Sequence, residues 1–180
     1  FDLLVAIADV AHYVPEGSAL DAEARKRGNS VYFPDRVVPM LPESLSNGWC
    51  SLKPEEDRPV LAMAIAIDAE GKKQSHRVLR GLMRSAARLT YEQAQEQAPS
   101  PRLAPLFAAF QALARARALR GTLELDLPER KVTLDAEGKV AAIEPRARLD
   151  SHRLIEEFMI LANVAAAEAL EAKGAPCVYR

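Results

Sequence analysis

The stretch VLAMAIAIDAEGKKQSHRVLRGL, residues 60–82, decides the fold class. Two runs able to form strands, Val60 to Ile67 and Gln74 to Leu82, flank Asp68-Ala69-Glu70-Gly71-Lys72. A polar turn containing glycine between two such runs predicts an antiparallel hairpin. Upstream of it, Asn29 to Pro59 carries five prolines, Pro34, Pro39, Pro42, Pro54 and Pro59. They prevent long regular elements and predict an ordered, non-repetitive surface segment with one or two short turns of helix, and long irregular segments in compact domains are often functional. Before that segment, Ser18 can cap a short helix over Leu20 to Arg27, and Gly28 stands where a left-handed C-terminal cap is wanted. Phe1 to Val10 has the length and apolar character of a buried strand. Downstream, Tyr91 to Gln97 and Leu103 to Leu119 are helical by composition, the second with Leu106, Phe110, Leu113 and Leu119 as its apolar residues. Three short strands follow, Leu123 to Leu127, Lys131 to Leu134 and Val140 to Ile143, the last two joined through Asp135-Ala136-Glu137-Gly138-Lys139. The longest helix starts at Asp150 or Ser151 and is stopped by Gly174 and Pro176. Strands and helices mixed without strict alternation make an α+β fold.

The bulk numbers bound this reading. A chain of 180 residues that is 49% apolar supports one domain with a real core. Its 24 basic and 25 acidic residues leave a net charge of -1, so no global field draws in a polyanion and any nucleic-acid site must be local. Cys50 and Cys177 match no zinc or redox spacing, which fits a reducing compartment. No apolar run reaches the roughly 18 residues of a membrane span, and Phe1-Asp2-Leu3-Leu4-Val5 has no charged leader, so the expectation is a soluble, cytoplasmic protein. The chain opens directly in an apolar run and stops at Val178-Tyr179-Arg180 after a strand-like start, which predicts a piece of a longer domain.

Several polar and aromatic residues are candidates for chemistry. On the last helix, Glu156 and Asn163 are seven residues apart and nearly share a face, while Leu154, Phe158, Leu161 and Ala165 form an apolar stripe. Periodicity alone leaves a solvated face as the alternative, and it favours Glu157 over Glu156 as a plain surface charge. Tyr32, in a proline-punctuated segment, suits stacking on a base as well as packing on a core. The hydroxyl of Tyr91 can reach a ligand or bond to backbone. His12, His76 and His152 are isolated and fit no nucleophile or metal arrangement. Asp9 reads as a hydrogen-bonded structural group. Arg77, Arg80, Arg84 and Arg88 give a basic strip if helical, whereas on a strand Arg80, Arg84 and Arg88 share one face; the alternative is simply a solvated surface. Phosphate-binding glycine loops, serine-hydrolase elbows and HExxH patterns are all missing from the sequence.

Several segments in series resemble one family. They are Leu4-Val5-Ala6-Ile7-Ala8-Asp9-Val10 with His12-Tyr13-Val14; Ser30-Val31-Tyr32-Phe33-Pro34 through Val38-Pro39-Met40-Leu41-Pro42; and Leu45-Ser46-Asn47-Gly48 with Cys50-Ser51-Leu52 and Asp57-Arg58. Ala87-Arg88-Leu89-Thr90-Tyr91, Arg120-Gly121, and Leu154-Ile155-Glu156-Glu157-Phe158-Met159 with Ala162-Asn163 follow in order. Together they are similar to the RNB catalytic domain of the ribonuclease II/R exoribonucleases, on the ribonuclease R side of the family. The resemblance covers practically the whole chain and implies that residues 1–180 are the central part of a single RNB domain, truncated at both ends.

What the resemblance implies is a mixed, largely antiparallel sheet with flanking helices, and processive hydrolysis of single-stranded RNA from its 3′ end to nucleoside 5′-monophosphates. Magnesium is the implied cofactor, held by hard oxygen ligands. The family's aspartate cluster precedes the strand that begins here at Phe1, and its catalytic arginine lies beyond Arg180. The resemblance therefore implies no catalytic or metal-binding residue within this sequence, and a chain inactive on its own. By motif, Tyr32 matches an aromatic that stacks near the 3′-terminal nucleotide. Tyr91 and Glu156 match a pair that contacts ribose and favours RNA over DNA, since a phenol and a carboxylate both hydrogen-bond a 2′-hydroxyl. Leu125 stands where relatives often have a phenylalanine that clamps bases. Arg88 and Asn163 are RNA-binding candidates without an assigned role. The implied partner is the 3′ end of single-stranded RNA, with no membrane, and the implied state is a monomer. The competing reading is a non-catalytic RNA-binding or interaction module that keeps the groove without the metals.

Overall fold

The computed structural model describes residues 1–122, 130–145 and 147–179. In chain order its elements are β1 (Asp2–Ala8), α1 (Val10–Tyr13), α2 (Ala19–Arg27), β2 (Val31–Tyr32), β3 (Val37–Val38), a π-helical turn (Ser44–Trp49), β4 (Asp57–Ile67), β5 (Lys73–Arg84), α3 (Tyr91–Glu96), α4 (Ala104–Leu119), β6 (Arg130–Leu134), β7 (Val140–Pro145) and α5 (Asp150–Glu171). The fold is α+β, and every described ladder is antiparallel. The one parallel contact among the described residues is an isolated bridge between Pro54 and Ser85. The expected strand over Leu123 to Leu127 falls outside the described residues.

The hairpin expected from residues 60–82 is β4–β5, longer than predicted at both ends. Its turn is built by Asp68, whose Oδ1 accepts from the backbone N–H of Glu70 at 3.1 Å and of Lys72 at 2.8 Å. Gly71 completes the turn at φ +81, and a Cβ there would lie 2.3 Å from the Ala112 carbonyl oxygen. The turn thus meets α4 backbone to backbone, which only glycine allows.

β4 is the centre of a three-stranded sheet of order β1-β4-β5. Its large side chains Met63, Ile65 and Ile67 alternate onto one face and join Leu3 of β1. Phe110 and Leu113 of α4 and Leu154, Phe158, Leu161 and Ala165 of α5 close over them. The result is one sheet layer against one helix layer; full burial of a large apolar side chain contributes about 1.5–3 kcal/mol, and those of this core, 2–8% exposed, approach that.

Three expectations need correction. β1 is an edge strand rather than a buried one: Leu3 is its one buried residue, while Leu4 and Ile7 are 67% and 56% exposed. The inward face of α4 uses Ala109 and Ala112 beside Phe110 and Leu113, whereas Leu106 and Leu119 point outward. Alanine lets the α4 backbone approach the sheet and the Gly71 turn closely, which a leucine stripe would prevent. On α5, Glu157 is the tucked-in carboxylate, bonded to Arg117 of α4 at 2.7 Å, and Glu156 is the exposed one.

The proline-rich segment is irregular as expected, and its anchor is Arg58. The guanidinium is buried, donates to the carbonyls of Ser51 at 3.1 Å and Asp57 at 3.0 Å, pairs with Glu56, and lies 5.8 Å from the Trp49 ring centre. Among the described residues, no helix is long and apolar enough to cross a membrane.

Candidate nucleic-acid interface

Thr90 fixes how the chain enters α3. Its Oγ1 accepts from the Gln93 N–H at 3.2 Å, and the Gln93 side chain accepts from the Thr90 N–H at 2.9 Å, a reciprocal cap that sets the position of Tyr91. The start of α5 docks against this turn. Buried Ser151 donates its hydroxyl to the Tyr91 carbonyl at 2.8 Å and its N–H to Gln95 Oε1 at 3.0 Å. The polar work at Tyr91 is thus done by its carbonyl, and its side chain, 39% exposed, is left to face outward.

The Tyr91 ring lies flat on His152, with ring centres 4.0 Å apart and planes 20° from parallel. One helical turn after His152 stands Glu156, on the same face of α5. Its Oε2 accepts from Arg148 at 2.5 Å, and both side chains remain about half exposed. Tyr91, His152, Glu156 and Arg148 therefore form one corner that combines a phenol, an imidazole, a carboxylate and a guanidinium. Asn163 is exposed on the same helix, about 10 Å further along the axis at 1.5 Å per residue. Arg88 is exposed three residues ahead of Tyr91. Ser85, close before it, ties this connection to Glu55 by accepting the Glu55 N–H at 2.8 Å.

Tyr32 stands apart. It is 78% exposed on the small β2–β3 hairpin opposite Val37, so it is not a core aromatic. The Arg36 guanidinium stacks 5.0 Å from the neighbouring Phe33 ring, and Ser30 and Arg27 tie the hairpin down through Met40 N–H and the Pro39 carbonyl. Among the described residues, no hydrogen bond, ion pair or ring contact joins Tyr32 to the Tyr91 corner. Leu125 lies outside the described residues.

Two arginines of the strip are neutralised in place. Arg80 bonds Asp9 at 2.7 Å and Arg84 bonds Asp57 at 2.8 Å. These hydrogen bonds hold both carboxyls below the usual carboxylate range. A concavity of about 590 Å³ lies along the C-terminal half of α5, between the β4–β5 turn and the end of α4. Lys73 is on its wall, paired with Glu168 and 3.1 Å from His76 Nδ1. Nothing in the sequence signalled this pocket, because its walls meet only in the folded chain. The described residues do not fit a magnesium ion, since no three His, Cys, Asp or Glu side chains converge among them.

His152, which the sequence leaves as an isolated histidine, is the residue whose place the structure changes. The available signal was its position four residues before Glu156, which places both on one helix face.

Comparison with known proteins adds an independent line. The pattern of the RNB domain family matches residues 1–180. The chain is 46% identical over 190 residues to ribonuclease R of Vibrio parahaemolyticus, an overlap of 99% of this chain and 23% of that protein. It is 40% identical over 190 residues to ribonuclease R of Escherichia coli, again covering 99% and 23%. Mycoplasma genitalium RNase R in complex with ribose-methylated single-stranded RNA superimposes with a TM-score of 0.91 at 31% identity, covering 97% of this chain and 29% of that one. The chain thus spans about a quarter of the length of the relatives it matches.

Proposed function

Because the chain belongs to the RNB domain family, we propose that it forms the RNA-facing wall of a 3′-to-5′ exoribonuclease, with Tyr91 and Glu156 reading the ribose 2′-hydroxyl. The observation that carries this is the Tyr91–His152–Glu156 corner, where a phenol and a carboxylate are held on neighbouring, rigidly docked elements and both remain open to solvent. A carboxylate accepts the 2′-hydroxyl proton and a phenol either donates or accepts, so the pair senses a group that DNA lacks. Glu156 already gives Oε2 to Arg148, which leaves Oε1 for a ligand.

The finer reading places Tyr32 as a base-stacking aromatic near the RNA end and Arg88 and Asn163 along the strand's path. Hydrolysis of single-stranded RNA to nucleoside 5′-monophosphates is then an activity of a longer cytoplasmic protein in which magnesium ligands come from other segments. This chain supplies binding and selectivity, not chemistry.

The test compares single-stranded RNA, DNA and 2′-O-methyl RNA of one sequence by fluorescence anisotropy on the 180-residue chain. Each net hydrogen bond contributes about 0.5–1.5 kcal/mol, so with two such bonds RNA should bind roughly five- to 150-fold more tightly than DNA. Tyr91→Phe and Glu156→Gln should each remove roughly half of that gap in free energy while leaving DNA affinity unchanged. Equal affinity of the wild-type chain for RNA and DNA overturns the reading. Release of mononucleotides by the chain itself would overturn the division between binding and chemistry.

A further inference from the structure

We propose that His152 is a positioning residue for ribose selectivity, holding the Tyr91 ring at the angle from which its hydroxyl reads RNA; this rests on the ribose reading of the same corner. Tyr91 is fixed at its backbone by the Thr90 cap and the Ser151 hydroxyl, but neither bond restrains its ring. The imidazole of His152 is what covers one ring face, 4.0 Å away and within 20° of parallel. A stacked neighbour restricts both side-chain torsions of the tyrosine and so fixes the direction of the C–O bond.

The imidazole is itself locked. Its Nδ1 accepts the Leu149 N–H at 3.1 Å, which closes the open first turn of α5. An Nδ1 that accepts leaves the ring N–H on Nε2. Helix entry, imidazole plane and phenol direction are therefore set by one residue, and Glu156 stands on the same helix face one turn later. A histidine does this where phenylalanine or asparagine does half: phenylalanine keeps the stack and loses the acceptor, while asparagine keeps an acceptor and loses the stack.

That split supplies the experiment. The 180-residue chain and its His152→Phe and His152→Asn variants are measured for thermal midpoint and for the ratio of RNA to DNA affinity. The proposal expects His152→Asn, which keeps the acceptor, to fold and to lose roughly two- to tenfold of the RNA preference, the range of an aromatic pair. It expects His152→Phe to melt lower yet hold the preference within about twofold, because the stack survives. A preference that instead follows the thermal midpoint, or an unchanged preference in folded His152→Asn, overturns it. Should either variant not fold, the Tyr91 ring protons of the wild-type chain decide by NMR: an upfield ring-current shift supports the stack and its absence overturns it. A wild-type chain with no RNA preference overturns the ribose reading and the role of His152 with it. Preference in wild type with no change in His152→Asn overturns the role alone.

Discussion

Glu156 and Glu157 are adjacent, chemically identical and differently used. Glu157 is 12% exposed at its side chain and accepts from Arg117, itself 24% exposed, whereas Glu156 and Arg148 are 49% and 53% exposed. Arg117 also has a buried Nε without a partner among the described residues, so its charge leans on Glu157. Removing one member of a largely buried pair strands the other, and Glu157→Gln should destabilise the chain by about 1–3 kcal/mol. Glu156→Gln touches an exposed pair and should change stability by less than about 1 kcal/mol. Urea midpoints of the two variants check this, and equal losses would contradict it. The sequence could not sort the two because successive helical residues point 100° apart, and which one turns inward depends on where α4 lies. His152 was legible only in part: its spacing from Glu156 put both on one helix face, but its stacking partner is 61 positions away.

At the level of elements, β5 is bound to the sheet by charge as well as by its ladder. Arg80 bridges to Asp9 at the end of β1, and Arg84 bridges to Asp57 at the start of β4. The hydrogen bond from Arg80 chiefly holds the Asp9 carboxyl below its ordinary value of 3.8. In acid the unfolded chain therefore takes up this proton before the folded chain does. The stabilisation is fully present above the ordinary carboxylate range and is lost as pH falls through it toward the lowered folded value. Asp9→Asn should accordingly be less stable than wild type at neutral pH, with the gap narrowing below about pH 4. Urea titrations at several pH values read this directly, and a gap that widens in acid would reverse the sign. The elements themselves were largely visible in the sequence. Asp68 to Lys72 announced the hairpin because its carboxylate and glycine are the turn, and Leu154, Phe158, Leu161 and Ala165 announced the inward face of α5 because large apolar groups recur at the helical period. The inward face of α4 was hidden because Ala109 and Ala112 look like helix filler until the close approach of Gly71 gives them a purpose. The β2–β3 hairpin, with two residues per strand, is too short for alternation to register.

For the molecule as a whole, the decisive quantity is surface. A compact monomer of 19.7 kDa exposes roughly 8,600 Å², and its unfolded chain roughly 28,600 Å², by the usual mass scaling. This chain exposes 12,971 Å². Folding therefore withdraws roughly 15,600 Å² from water instead of roughly 20,000 Å², about a fifth less than a compact chain of this mass. Composition gave no warning, because 49% apolar residues suffice for a core without fixing how much of it is covered. The exposed apolar side chains of Leu4, Ile7, Leu82 and Met159 show where cover is lacking, on the outer strands of the sheet and the outward side of α5. The urea m-value scales with the surface exposed on unfolding, so that of this chain should fall about a fifth below the value for compact domains of the same length. Equilibrium unfolding followed by circular dichroism measures it. An m-value at or above the compact range would mean that the chain in solution buries the surface that this fold leaves open, by self-association or by a closer packing, and a dilution series separates the two because only self-association depends on concentration.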